Sequence, residues 1–145
     1  MTGVQTCALP ICEILRDRER RNPLEFVRPV MSESDVLELQ RLASAVRVDD
    51  ALVDYLLNIV VQTRANENLE LGISPRGTLS LFRSAQAFAL IEGRDYCIAD
   101  DIKRLVVPVF AHRIIVNSRN LNPKRKTNEA ERILQEILQK TSVPI

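Results

Sequence analysis

The stretch LGISPRGTLSLFRSAQAFALIEGRDY, residues 71–96, puts an arginine where electrostatics discourages one. Ser74 is an N-cap by type, and Pro75 suits the first helical position because its missing N–H would have had no partner there. Arg76 therefore falls in the first turn of a helix. Unpaired N–H groups and aligned peptide dipoles make that end partly positive, so a lone cation there costs about 0.3–1 kcal/mol. The same end attracts anions. On the residues alone Arg76 reads as a solvated cation on a polar face, and its position leaves open what offsets the cost. Steps of three and four residues put Arg76, Ser80, Arg83 and Ala87 on one stripe. Arg83, on that stripe, reads as a salt-bridging or interface residue, with a secondary nucleotide-binding role as its alternative.

Other chemistry is missing from the sequence. It has no G-x-x-x-x-G-K-[ST] loop to cradle phosphates, no acidic strand end to hold magnesium, and no Ser/His/Asp or Cys/His set for nucleophilic catalysis. This stretch of chain has no self-contained catalytic machinery and no catalytic residue is expected in it. The single His112, next to Arg113, reads as a surface or helix-end residue. Cys7, Cys12 and Cys97 have no metal-ligand spacing, so neither a zinc site nor a disulfide is expected. The basic run PKRK at 123–126 reads as a solvated loop.

Helices must position Arg76. The chain has 145 residues, 46% of them apolar, and 20 Lys plus Arg against 19 Asp plus Glu. That balance leaves no overall field to steer it onto nucleic acid or an anionic membrane. No apolar run approaches the roughly 18 residues that a membrane span needs, which points to a soluble, cytoplasmic protein. The segment CEILRDRERR reads as the end of a charged helix, and NPLEFVRPV, with two prolines, as an extended linker. Ser32 with Asp35 forms a short-acid capping box for a helix whose apolar stripe is Val36, Leu37, Leu39, Leu42 and Ala43. Asp49 caps a second helix, with Leu52, Val53, Leu56, Ile59 and Val60 at helical spacing and Tyr55 beside them. TRANENLELG reads as a loop. The third helix runs from Pro75 to about Glu92, stopped by Gly93, with Leu79, Phe82, Ala85 and Ala89, flanked by Leu81 and Phe88, as a wide apolar face. A fourth starts near Ala99, carries Ile102, Leu105 and Val106, and is bent or broken near Pro108. NSRNLNPKRKT reads as a polar loop, after which Thr127 caps a last helix with Ile133, Leu134, Ile137 and Leu138. The expectation is an all-α fold, a small helical bundle of about four to five helices plus a C-terminal helix.

From about Glu13 to Val116 the sequence resembles the C-terminal lid of a MoxR-family AAA+ ATPase. PVMSESDVLELQ, VRVDDALVDYLLNIVVQTR, LGISPRGTLSLFRSAQAFALIEGRDY and DDIKRLVVPVFAHRI carry the resemblance in family order. One departure is CIADD, where the family pattern has Thr-Pro before the paired acids, so that Ile98 removes a helix cap. The resemblance implies a lid over nucleotide held by a core domain, with ATP and Mg2+ bound mainly by that core. Arg76 then corresponds to the sensor-two arginine that reaches the terminal phosphates. It also implies a ring-forming homo-oligomer that remodels or matures other protein complexes in a chaperone-like way, often with von Willebrand factor A-type partners. Two rival classes share the packing features: a helix-turn-helix nucleic-acid module reading with Arg76, Arg83 and Gln86, and a passive helical interaction domain. Against the first stand the near-zero net charge and a loop before the third helix longer than the usual three or four residues.

The leader MTGVQTCALPI has its own explanation. It back-translates, in frame from a GTG start, into a string resembling a common sequencing-library adapter. Residues 1–12 are therefore expected to be a non-native leader, and the true beginning of the reading frame to be lost. The expected organisation is then the end of a core-domain helix and a linker over 13–31, the lid over 32–116, and a basic loop with a C-terminal helix over 117–145.

Overall fold

The computed structural model describes residues 26–117 and 123–143. The expected leader with Cys7 and Cys12, the charged helix before Pro23, and the side chains of PKRK lie outside them. The chain divides into two units, residues 1–36 and 37–145.

In the first unit, Phe26, Val27 and Val30 are exposed along the proline-bounded segment. Ser32 and Asp35 then form the expected reciprocal cap. The Ser32 N–H donates to Asp35 Oδ2 at 2.8 Å, and the Asp35 N–H donates to Ser32 Oγ at 3.2 Å. These bonds begin helix α1, Glu33–Ala45.

The second unit is a helical bundle. Its elements are α2 (Asp50–Ala65), β1 (Leu69–Leu71), α3 (Pro75–Ile91), α4 (Ala99–Phe110), β2 (Ile115–Val116) and α5 (Pro123–Lys140). Asp49 caps α2 as expected, its Oδ1 accepting from the Ala51 N–H at 2.9 Å. Helix α2 turns Leu52, Tyr55, Leu56, Ile59 and Val60 inward. They meet Leu81, Ala85 and Ala89 of α3, Ile102, Val106 and Phe110 of α4, and Ile133, Leu134 and Ile137 of α5 in one core. The C-terminal helix thus shares the bundle's core. At its end, Gln62 Nε2 of α2 donates to Thr141 Oγ1 at 2.8 Å.

Helix α3 ends where glycine is required. Gly93 has φ +75°, a left-handed conformation that only glycine adopts freely. Its N–H donates to the Leu90 carbonyl and the Arg94 N–H to the Ala89 carbonyl, each at 2.9 Å, the paired bonds of a Schellman cap.

Four expectations need correction. TRANENLELG is not all loop, because Leu69–Leu71 pairs antiparallel with Ile115–Val116 in a small ribbon. Helix α4 is not broken at Pro108 but runs on to Phe110. Proline there lies within three residues of the helix end and removes one backbone bond, and the Ala111 N–H still reaches the Val107 carbonyl at 2.9 Å. The last helix begins at Pro123, so Thr127 lies inside it and is not its cap. Proline fits the first helical position for the same reason as Pro75. Finally, the apolar faces are narrower than expected. Leu79 is 56% exposed, standing about 200° around α3 from the fully buried Leu81. Helix α1 buries none of its stripe.

Candidate functional site

Three contacts hold the start of α3 against the end of α2. Thr63, fully buried, donates its hydroxyl to the Val60 carbonyl at 2.7 Å and accepts the Ile73 N–H at 3.1 Å. Arg64 Nε donates to the Ile73 carbonyl at 2.8 Å. Both polar groups of Ile73, three residues before Arg76, are thereby fixed to α2.

The third contact is the close passage of Gly72. A Cβ there would lie 2.8 Å from Arg64 Cα, Arg64 N and the Thr63 carbonyl oxygen, all backbone atoms that cannot swing away. Gly72→Ala is therefore expected to destabilise the chain by roughly 1–3 kcal/mol, the range for overpacking. Urea denaturation measures this, and an unchanged midpoint would remove the close-passage explanation of the glycine.

From this anchored residue the chain enters α3. Ser74 Oγ accepts the Gly77 N–H at 3.3 Å, and the Ser74 carbonyl accepts the Thr78 N–H at 3.0 Å. Pro75 has no N–H. That leaves the Arg76 N–H without an intramolecular partner among the described residues. The Arg76 side chain is exposed and makes no hydrogen bond or ion pair among them. Arg83 is exposed on the same helix, two turns away, and likewise makes no ion pair among the described residues.

The first turn of α3 thus presents a cation and an N–H with no acceptor of their own. Such a set fits an oxyanion with several oxygens, such as the terminal phosphates of a nucleotide. It does not fit a metal, and no group of three His, Cys, Asp or Glu able to hold one occurs among the described residues.

The other end of α3 carries a feature that sequence reasoning missed. Arg94 makes a two-pronged bond to Asp101, with Nη2 to Oδ1 at 2.6 Å and Nη1 to Oδ2 at 2.9 Å. Asp101 is 2% exposed, and its Oδ2 also accepts the Ile98 N–H at 2.9 Å. Ile98 indeed supplies no side-chain cap, but Asp101 keeps the other half of a capping box and secures the start of α4. Burial is the largest single influence on Asp101 and opposes its ionisation. The Arg94 and Ile98 hydrogen bonds and the Arg94 and Arg104 charges together outweigh burial and hold the carboxyl below its usual value. Next to it, the thiol of buried Cys97 is pushed up, first by burial and then by the Asp101 charge. Gln86 was a candidate base reader. It is buried, and its Nε2 donates to the Val46 carbonyl at 2.9 Å, which leaves it no edge to offer a nucleic acid. His112 is exposed just past α4, as expected.

Known proteins align with this architecture. The model of the AAA lid domain family matches residues 61–137. The uncharacterised protein YeaC of Bacillus subtilis is 38% identical over 135 residues, spanning 92% of this chain and 41% of its own length. The chaperone MoxR1 of Mycobacterium tuberculosis is 31% identical over 126 residues, spanning 81% of this chain and 33% of its own. A crystal structure from Cytophaga hutchinsonii, described as a candidate ATPase, superposes on all of this chain and 45% of its own with TM-score 0.70 and 26% identity. The chain spans less than half the length of each of these proteins.

Proposed function

Since the chain belongs to the AAA lid domain family and is a lid of the MoxR type, we propose that it closes over a nucleotide held by an AAA+ core domain and that Arg76 reaches the terminal phosphates. The observation that carries this reading is the exposed, unpaired Arg76 on a helix start whose backbone is fixed from both sides through Ile73. An arginine at a partly positive helix end is unfavourable without an anion and favourable with one. The mismatch read in the sequence becomes an affinity when phosphate is present.

ATP supplies the phosphoryl groups and Mg2+ neutralises part of their charge, both bound mainly by the core. This chain contributes Arg76, the Arg76 N–H and the rigid support behind them. In the complete enzyme, lid rotation would couple hydrolysis to remodelling or maturation of protein complexes within a homo-oligomeric ring. The chaperone name of the Mycobacterium relative supports that role. A von Willebrand factor A-type partner and a cytoplasmic setting belong to the same proposal. No helix among the described residues is long and apolar enough to cross a membrane.

Calorimetry separates this reading from a nucleic-acid module. A single arginine contributes about 1.5–3 kcal/mol through charged hydrogen bonds, so the chain alone is expected to bind ATP more weakly than micromolar. Joined to a complete family core it should bind tightly, and it should show no salt-dependent affinity for duplex DNA in either form. Micromolar ATP binding by the chain alone, or salt-dependent DNA binding, would overturn the division of labour proposed here.

A further inference from the structure

Arg113 stands just beyond α4, its N–H donating to the Phe110 carbonyl at 2.9 Å and the next residue, Ile114, buried. Its backbone is therefore fixed by the core. Its side chain crosses to the first turn of α3. A Cβ at Gly77 would lie 3.6 Å from Arg113 Cδ, 3.0 Å from Ile73 Cγ2 and 3.8 Å from Ser74 Oγ. The arginine stem thus lies at ordinary packing distance from this turn, beside the Ser74 cap, and the tight neighbour that the glycine accommodates is the Ile73 methyl. The next atom along the stem, Nε, is shut off from solvent and has no hydrogen-bond partner. No carboxylate pairs with Arg113 among the described residues.

We propose that Arg113 is a second phosphate-facing arginine at the start of α3, acting on the same oxyanion as Arg76. The inference rests on the reading of Arg76 as phosphate-facing. A guanidinium that no carboxylate pairs, beside a helix end that is already positive, is unfavourable until an anion joins it, and with Nε buried its outer nitrogens are left to make that contact. Two arginines beside one turn from different elements, Arg76 on α3 and Arg113 after α4, suit a polyphosphate better than a single carboxylate. They offer donors to oxygens on neighbouring phosphorus atoms. The rival reading makes the Arg113 stem a packing strut over Gly77. A strut would tolerate methionine, which keeps the stem, and would be indifferent to phosphate.

The test titrates inorganic tripolyphosphate into the 15N-labelled chain at constant ionic strength, following backbone amides and arginine Nε–H resonances by NMR. The Gly77 N–H and the Arg113 Nε–H should move together on one saturable curve. Arg113→Met should weaken that curve by about 10-fold or more, and Arg113→Lys should recover only part of the loss. If Gly77 and Arg76 respond saturably while Arg113 Nε–H does not move, Arg113 is a strut and only this inference fails. The same holds if Arg113→Met binds as the parent does. If no residue in the first turn of α3 responds saturably, the phosphate role of Arg76 fails as well. Should Arg113→Met not fold, the Nε–H shift in the parent chain decides by itself.

Discussion

Replacing Arg76 with alanine, in this lid joined to a complete core of its own family, is expected to cut ATP turnover by roughly 30- to 150-fold while leaving the lid folded. The magnitude follows from a charge-assisted hydrogen bond of about 2–3 kcal/mol felt mainly in the transition state. Stability should stay level or rise slightly. The side chain is exposed and unpaired, and its removal relieves a cation at a positive helix end. Arg76→Lys should restore part of the rate, since a point charge cannot reproduce the planar fork of the guanidinium. Arg83→Ala is the control on the same helix, exposed and free of ion pairs among the described residues, and should leave turnover near the parent value. Steady-state ATPase assays with thermal melts of the same proteins give both readings. Normal turnover by Arg76→Ala would make Arg76 ordinary surface, and an unfolded lid would make it structural support.

The helix start that carries Arg76 is legible in the sequence because its signals are local. Ser74, Pro75 and Arg76 are consecutive, and the rules for a helix start use only such neighbours. The same locality made the Ser32–Asp35 box, the Asp49 cap and the Gly93 stop readable. The supports of the site join residues far apart in the chain, as with Thr63 to Ile73, Arg113 to Gly77 and Gln86 to Val46. Residue type alone pairs none of these, although the Gly in LGIS is a signal of close passage once its neighbours are known. Periodicity gives the spacing of an apolar face without its width, which is why Leu79 was placed inward. The ribbon of three and two residues is too short to alternate visibly, and the basic, polar character of PKRK hid a helix start at Pro123.

The motif EGRDY followed by the paired acids DD is a folding device, and the largest expected stability losses lie there. Arg94→Ala would leave Asp101 a buried carboxylate holding only the Ile98 N–H. Breaking a buried pair from one side costs about 3–5 kcal/mol. For a domain of this size the lower figure corresponds to a fall of about 10 °C in Tm. Asp101→Asn should destabilise less, because the stranded Arg94 side chain is 21% exposed and can turn toward water. Asp100→Asn is the control: Asp100 is 70% exposed in its pair with Lys103, so the change should stay within about 0.5 kcal/mol. The pH dependence has a definite sign. Asp101 ionises more readily folded than unfolded, so its contribution is fully present above the unfolded value of about 3.9 and is lost as pH falls through the lower folded value. In Arg94→Ala the largest opposition to burial is lost and only the Ile98 N–H and the Arg104 charge still favour ionisation, so the folded carboxyl titrates higher than in the parent and the penalty fades on acidification. The stability gap between Arg94→Ala and the parent, measured by urea denaturation, should therefore narrow from pH 7 toward pH 4. A gap that is constant with pH would mean that Arg94 acts by packing and its backbone bond to Tyr96, and not through the charge of Asp101.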